Sequence, residues 1–139
     1  MAAKIIVDAG PLVALFRADD ENHEWALEIF ETLRPPLYTT EPAITEAAYF
    51  LISTGIPARR LLERVENGGL KIPFQLEQQV GAITLLMDKY GKRMDLADAT
   101  LVRLSELIAD CQVLTTDYED FSIYRRHGRQ VIPLLSPPK

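Results

Sequence analysis

The sequence has a single cysteine, Cys111, and only two histidines, His23 and His127. One cysteine cannot form an intramolecular disulfide or a cysteine-based zinc site. The two histidines also lack the spacing of a zinc-binding pair. We therefore interpret Cys111 as a small buried hydrophobic residue, and we expect neither histidine to act as a general base.

Long apolar runs are also missing. The longest candidate, residues 43–52, is interrupted by Glu46 and is much shorter than the roughly 20 residues needed to span a bilayer. The first apolar run stops at Asp8, which makes it too short for a secretory signal. We expect a cytoplasmic protein without a membrane-spanning segment.

The chain has no excess of positive charge, since its net charge is −5. This balance argues against binding of nucleic acid through a broad basic surface. It does not exclude a nuclease, because a divalent cation held by acidic groups offsets their charge and meets the phosphate itself. The length of 139 residues and the hydrophobic fraction of 47% indicate one globular domain over residues 1–139.

Predicted strands alternate with predicted helices along the chain. A tight turn at Gly10 and Pro11 is predicted to lead from the first strand into a helix. The predicted strands cover residues 4–7, 37–40, 70–73, 113–116 and 131–135, and the later helices cover 20–33, 41–53, 58–66, 75–90 and 95–109. This alternation favours an α/β sandwich around a mainly parallel sheet.

Two aspartates follow predicted strands, Asp8 after the first and Asp117 after the strand at 113–116. Ligands of parallel sheets bind outside the carboxyl ends of the strands, so these two side chains are candidates for one site. A simple turn or capping role is the alternative for Asp8. Asp117 shares its loop with Glu119 and Asp120, which we interpret as solvated loop acids.

Two further acids lie on predicted helices. Asp95 suits the N-cap of the helix at 95–109, whereas Asp98 lies one turn further in, where a capping role is harder to supply. Glu46 lies beside the apolar surface of the helix at 41–53, and a carboxylate there is costly unless it is paired or bound to metal. The alternative for Glu46 is a position at the edge of that surface, facing solvent.

A ligand set of carboxylate oxygens suits hard cations. Asp8, Glu46, Asp98 and Asp117 therefore predict a site for Mg²⁺, with Mn²⁺ able to replace it. Metal-assisted hydrolysis of a phosphodiester bond is the chemistry that such a site supports.

Four segments together resemble the PIN-domain nucleases, in particular the VapC-like toxins of toxin–antitoxin modules. They are residues 5–12 (IIVDAGPL), Thr45 with Glu46, residues 95–99 (DLADA) and residues 114–121 (LTTDYEDF). The resemblance implies a PIN-like α/β/α sandwich and a carboxylate cluster that binds one or two Mg²⁺ ions and cleaves RNA. The family's four acids correspond in order to Asp8, Glu46, Asp98 and Asp117.

The same resemblance implies further residues and partners. Thr116 corresponds to a small hydroxyl residue before the last acid, while Ala9, Gly10 and Pro11 replace a segment that often carries a hydroxyl or Asn in relatives. A small antitoxin protein and a homodimer are expected. Independently of the resemblance, Arg17, Lys92 and Arg93 are candidates to contact the RNA backbone because each neighbours a proposed acidic segment. The alternative is a catalytically inactive PIN-like module that binds RNA or acts as a scaffold.

Overall fold

The computed structural model describes residues 2–138. Five short strands form a parallel sheet in the order β3-β2-β1-β4-β7. These strands are β1 (Lys4–Val7), β2 (Leu37–Tyr38), β3 (Leu70–Lys71), β4 (Cys111–Leu114) and β7 (Leu134–Leu135). Strands β5 (Arg125–Arg126) and β6 (Gln130–Val131) form a separate antiparallel hairpin.

Within residues 2–138, seven helices connect and cover the strands. They are α1 (Ala9–Phe16), α2 (His23–Thr32), α3 (Glu41–Ile52), α4 (Arg59–Glu66), α5 (Val80–Tyr90), α6 (Leu96–Leu107) and α7 (Tyr118–Ile123). Short 3-10 turns, Leu76–Gln79 and Gly91–Arg93, lie on either side of α5.

The two central strands explain why both faces of the sheet are covered. In β1, Ile6 packs into one core while Ile5 and Val7 pack into another, because successive side chains of a strand point to opposite faces. In β4, Val113 and Leu114 divide between the same two cores. Strands without a polar face are typical of a parallel sheet between helical layers. The predicted α/β/α sandwich is confirmed.

The structure corrects several element boundaries. Gly10 and Pro11 form no separate turn, because α1 already begins at Ala9 and Pro11 lies in its first turn, where proline fits well. The strand predicted at 113–116 ends at Leu114. The segment 131–135 divides around Pro133, which has no N–H to donate to a ladder. As a result β6 pairs in the hairpin and β7 joins the main sheet.

Helix α7 and the pairing of β5 with β6 were not predicted. The interpretation of Cys111 as a buried residue is confirmed, since its exposed fraction is 2%. Among residues 2–138, no helix has the length and apolar character required to cross a bilayer.

Candidate active site

The candidate site lies at the carboxyl edge of the sheet, where β1 and β4 run side by side. The strand order reverses direction at this pair, since β2 and β3 extend to one side and β4 and β7 to the other. Connections from neighbouring strands diverge to opposite faces at such a point and leave a crevice between them. Asp8 follows β1 at this crevice, and Asp117 lies in the loop after β4.

Asp8 is the N-cap of α1 and is 6% exposed. Its Oδ1 accepts a hydrogen bond from the backbone N of Ala9 at 2.7 Å, and its Oδ2 accepts one from Thr115 Oγ1 at 2.7 Å. The capping role considered as an alternative is therefore present. Burial raises the pKa of the Asp8 carboxyl to about 6 despite these two bonds, and the charges of Asp117 and Asp95 add to the increase.

Thr115 links Asp8, which follows β1, to Asp117, which lies in the loop after β4. Besides donating to Asp8, its Oγ1 accepts a hydrogen bond from the backbone N of Asp117 at 2.9 Å. Thr115 therefore supplies a hydroxyl to Asp8, while Thr116, the residue that corresponds to the family's hydroxyl, lines the cleft as well. Thr116 faces Gly10, where an added Cβ would lie 2.0 Å from Thr116 Oγ1. Glycine at this position allows α1 to approach the loop after β4.

Asp117 caps α7 and is half-buried. Its Oδ1 accepts a hydrogen bond from the backbone N of Asp120 at 3.1 Å. It does not follow its strand directly as predicted, because β4 ends at Leu114. Partial burial raises the pKa of the Asp117 carboxyl, and the negative charges of Asp120 and Glu119 contribute further.

Asp95 caps α6 as the sequence predicts, and Asp98 lies one turn further in. Asp95 is the N-cap, and its Oδ1 accepts a hydrogen bond from the backbone N of Asp98 at 2.8 Å. Asp98 is 8% exposed, and its Oδ2 accepts a hydrogen bond from Tyr124 Oη at 2.8 Å. Burial raises the pKa of the Asp98 carboxyl to about 8; the Tyr124 bond opposes this shift, whereas the charges of Asp95 and Asp8 increase it.

Glu46 lies in the second turn of α3 and is half-buried. Burial raises the pKa of its carboxyl to about 7, and repulsion from Asp95 and Asp8 acts in the same direction. The side chain therefore does not simply face solvent at the edge of the helix. It lies within electrostatic reach of the acids that follow β1 and start α6.

All four predicted acids line one cleft of about 470 Å³. Asp95, Asp120 and three cations, Arg17, Lys92 and Arg93, line it as well. Two of the cations are already paired, since Arg17 binds Asp19 at 2.9 Å and Arg93 binds Asp120 at 2.8 Å. The cleft therefore combines a negative interior with a partly neutralised basic rim.

Whether these residues suit a divalent cation depends on donor type and on distance. The donors are carboxylate oxygens, which hard cations prefer. The raised pKa values of Asp8, Glu46 and Asp98 reflect burial first and repulsion between the acids second, and a cation would offset that repulsion. However, within residues 2–138 no three Asp, Glu, His or Cys side chains are gathered closely enough to hold a metal ion. The set fits a cation in chemistry and charge, but its side chains form no ready coordination shell.

Sequence reasoning missed Thr115 and Tyr124. A threonine two residues before Asp117 has a local signal, since Ser and Thr hydroxyls commonly accept from the backbone N two residues later. Tyr124 has no such signal, because it reaches Asp98 across 26 residues of sequence and through the unpredicted helix α7.

Comparisons with known proteins identify the family and the fold of the chain. The PIN domain family model matches residues 5–130, and the chain therefore belongs to the PIN-domain family. Among the solved structures, the chain is similar to VapC20 of Mycobacterium tuberculosis, described as a toxin that cleaves the sarcin–ricin loop. The TM-score is 0.67 at 18% identity, over 79% of this chain and 87% of that one. This likeness shows a shared fold. No curated protein sequence matches the chain.

Proposed function

We propose that the protein is a Mg²⁺-dependent endoribonuclease, with Mn²⁺ able to replace Mg²⁺. The observation that carries this proposal is the convergence of Asp8, Glu46, Asp98 and Asp117 on one cleft. These acids come from four different elements and lie at the switch point of a parallel sheet, where ligands of this class of fold bind. Membership of the PIN-domain family supports the same activity.

Asp8, Asp98, Glu46 and Asp117 would hold the cation. When bound, the cation supplies a Lewis acid that offsets charge on the phosphate and makes a water molecule a better nucleophile. Thr115 fixes Asp8 by its hydroxyl, and Tyr124 fixes Asp98 in the same way. Rigid carboxylates of this kind keep their orientation when substrate binds, so less reorganisation opposes the reaction.

We also propose that the protein is the toxin of a toxin–antitoxin pair, because VapC20, which shares its fold, is a toxin. An antitoxin segment carrying an arginine would suit the cleft, since guanidinium binds carboxylate oxygens in a bidentate manner. Next to the cleft lies an apolar groove of about 930 Å³ that shares Glu46, Phe50 and Asp95 with it. This groove offers apolar surface for the same segment. A homodimer is part of the same proposal.

The direct test is cleavage of RNA by purified protein with Mg²⁺, with Mn²⁺ and with EDTA. We expect cleavage only with a divalent cation, and we expect Asp8→Asn and Asp98→Asn to remove most of it while leaving the fold intact. Asp88→Asn is the matched control, because Asp88 is exposed on α5 and does not line the cleft. Full cleavage in EDTA, or by either cleft variant, would contradict the proposal.

The second candidate is a PIN-like module that binds RNA or acts as a scaffold without cleaving. The separation of the acidic side chains, which form no ready group of three metal ligands within residues 2–138, favours this candidate. Cation binding distinguishes the two, since a module without catalysis has no need of the metal.

A further inference from the structure

Two basic segments lie beside the acidic cleft; Lys92 and Arg93 of the first segment line it, and the other cations of the two segments do not. The first is residues 89–93 (KYGKR), at the end of α5 and in the following 3-10 turn. The second is residues 125–129 (RRHGR), which form most of the β5–β6 hairpin. Each contains three Lys or Arg residues and no acid, although the whole chain has a net charge of −5. Basic residues are therefore concentrated in these two places.

The fold brings the two segments together. Lys89 Nζ donates a hydrogen bond to the backbone O of Gly128 at 3.1 Å. The backbone N of Arg125 donates to Tyr90 Oη at 2.8 Å. These contacts dock the hairpin against the end of α5, so residues separated by more than thirty positions form one continuous surface.

Not every cation in these segments is available to a ligand. Arg126 is buried, and its guanidinium donates to the carbonyls of Ser105, Ile108 and Ala109 at the end of α6. The guanidinium of Arg125 donates to carbonyls at the end of α7. Both therefore hold the hairpin in place. Lys89, Lys92, Arg93 and Arg129 are exposed.

These exposed cations extend from the rim of the acidic cleft to the β5–β6 hairpin. Lys92 and Arg93 line this rim, and the backbone O of Arg93 lies 2.9 Å from Tyr124 Oη, the hydroxyl that donates to Asp98. Of the neighbouring acids, Asp120 is paired with Arg93 and Glu106 with Arg103. The four exposed cations are therefore continuous with the site, and their positive charge is only partly offset.

We propose that Lys89, Lys92, Arg93 and Arg129 form a basic strip that binds RNA phosphates beyond the scissile bond. Cations beside an acidic cleft add attraction for a polyanion, and ion pairing with phosphates supplies this attraction independently of sequence. The inference rests on RNA being the substrate of the proposed function. It adds Lys89 and Arg129, on α5 and the hairpin, to the rim cations.

The test removes two charges from the strip, at Lys89→Gln with Arg129→Gln. Glutamine keeps a hydrogen-bond donor near Gly128, so the hairpin should remain docked. The matched control is Lys71→Gln with Arg34→Gln, which also removes one exposed lysine and one exposed arginine, neither of them lining the cleft. A fluorescently labelled RNA stem-loop is titrated with each protein, carrying Asp98→Asn to prevent cleavage, at several salt concentrations.

We expect the strip variant to bind RNA on the order of tenfold more weakly at low salt, and the slope of log K against log salt to become shallower by about 1 to 2. The control variant should keep the original affinity and slope. In cleavage assays without Asp98→Asn, KM should rise while kcat stays constant, because only binding has changed.

The two proposals can fail separately. If the wild-type protein cleaves RNA but the strip and control variants have equal affinities, salt slopes and KM values, the strip proposal is overturned and the nuclease stands. If the wild-type protein cleaves no RNA with Mg²⁺ or Mn²⁺, yet the strip variant alone loses RNA binding, the nuclease proposal fails and the strip is supported.

Discussion

The hydroxyl of Tyr124 donates to Asp98 Oδ2 at 2.8 Å and lies 2.9 Å from the backbone O of Arg93, while the tyrosine side chain itself is fully buried. The Tyr124 hydroxyl thus contacts both the Asp98 carboxylate in the cleft and the backbone of Arg93 at the rim. Since the bond lowers the pKa of Asp98, it favours the ionised form that a cation requires.

Tyr124→Phe is expected to weaken cation binding. The variant keeps the packed ring but removes the hydroxyl, so the pKa of Asp98 should rise further and its affinity for Mn²⁺ should fall. The loss of the hydrogen bond to Asp98 should lower the free energy of unfolding by about 1 to 2 kcal/mol. Denaturant melts and Mn²⁺ titration at pH 7 measure the two effects.

The control for this prediction is Tyr90→Phe, because Tyr90 Oη accepts from the backbone N of Arg125 and has no contact with a cleft acid among its hydrogen bonds. It should lose stability but keep its Mn²⁺ affinity. Equal Mn²⁺ affinity in both variants and the wild type would show that Tyr124 only packs.

Without metal, the protein should become less stable as the pH rises. The folded-state pKa values of Asp8, Glu46 and Asp98 are about 6, 7 and 8, above their ordinary values of 3.8, 4.5 and 3.8. Between the two values the folded protein holds more protons than the unfolded chain, so the stability present at acid pH is lost as pH rises from about 4 to 8. Thermal melts in EDTA across this range test the sign.

Asp8→Asn isolates the contribution of one charge to that effect. In EDTA at pH 8 the variant should be more stable than wild type by about 1 kcal/mol, because one repelled, buried charge has been removed. At pH 4 the advantage should disappear. Saturating Mg²⁺ should reverse the order, since a ligand that binds only the folded state stabilises the protein that binds it better. Equal melting temperatures under all these conditions would mean that the acids do not interact.

Thr115→Val should damage the cleft more than Thr115→Ser does. Valine has nearly the same shape but offers no hydroxyl to Asp8 Oδ2 or to the backbone N of Asp117, and leaving buried groups unpaired costs about 1 to 3 kcal/mol. Serine restores both bonds. RNA cleavage and unfolding free energy should both decrease with valine and recover with serine; no difference between the two variants would refute the connecting role.

Gly10→Ala should destabilise the protein, because the new Cβ would lie 2.0 Å from Thr116 Oγ1 and would push α1 away from the loop after β4. The matched control is Gly81→Ala, in helix α5, where no atom lies within 4 Å of an added Cβ. That change should stabilise by roughly 0.5 to 1 kcal/mol. Denaturant unfolding compares the two variants, and a stable Gly10→Ala protein would show that Thr116 simply rotates away.

The sequence predicted the sheet, the position of Asp8 directly after the first strand and the N-cap at Asp95, because all three depend on local patterns. The β-branched run Ile5, Ile6 and Val7 is a strand by composition alone, and Asp95 has the position of an N-cap. The β5–β6 hairpin was missed because its residues are charged and its position depends on contacts with Tyr90 and with the carbonyls of Ser105 and Ile108, which are distant in sequence. The same reason applies to Tyr124, whose partner is decided by tertiary packing.

The central claim is that this cleft holds a catalytic cation. Isothermal titration calorimetry at pH 8 tests it by measuring Mn²⁺ binding to the metal-free protein. We predict saturable binding by the wild type and by the Asp88→Asn control, and strongly weakened binding by Asp8→Asn and Asp98→Asn. Absence of binding by the wild type, or equal binding by all four proteins, would contradict the account.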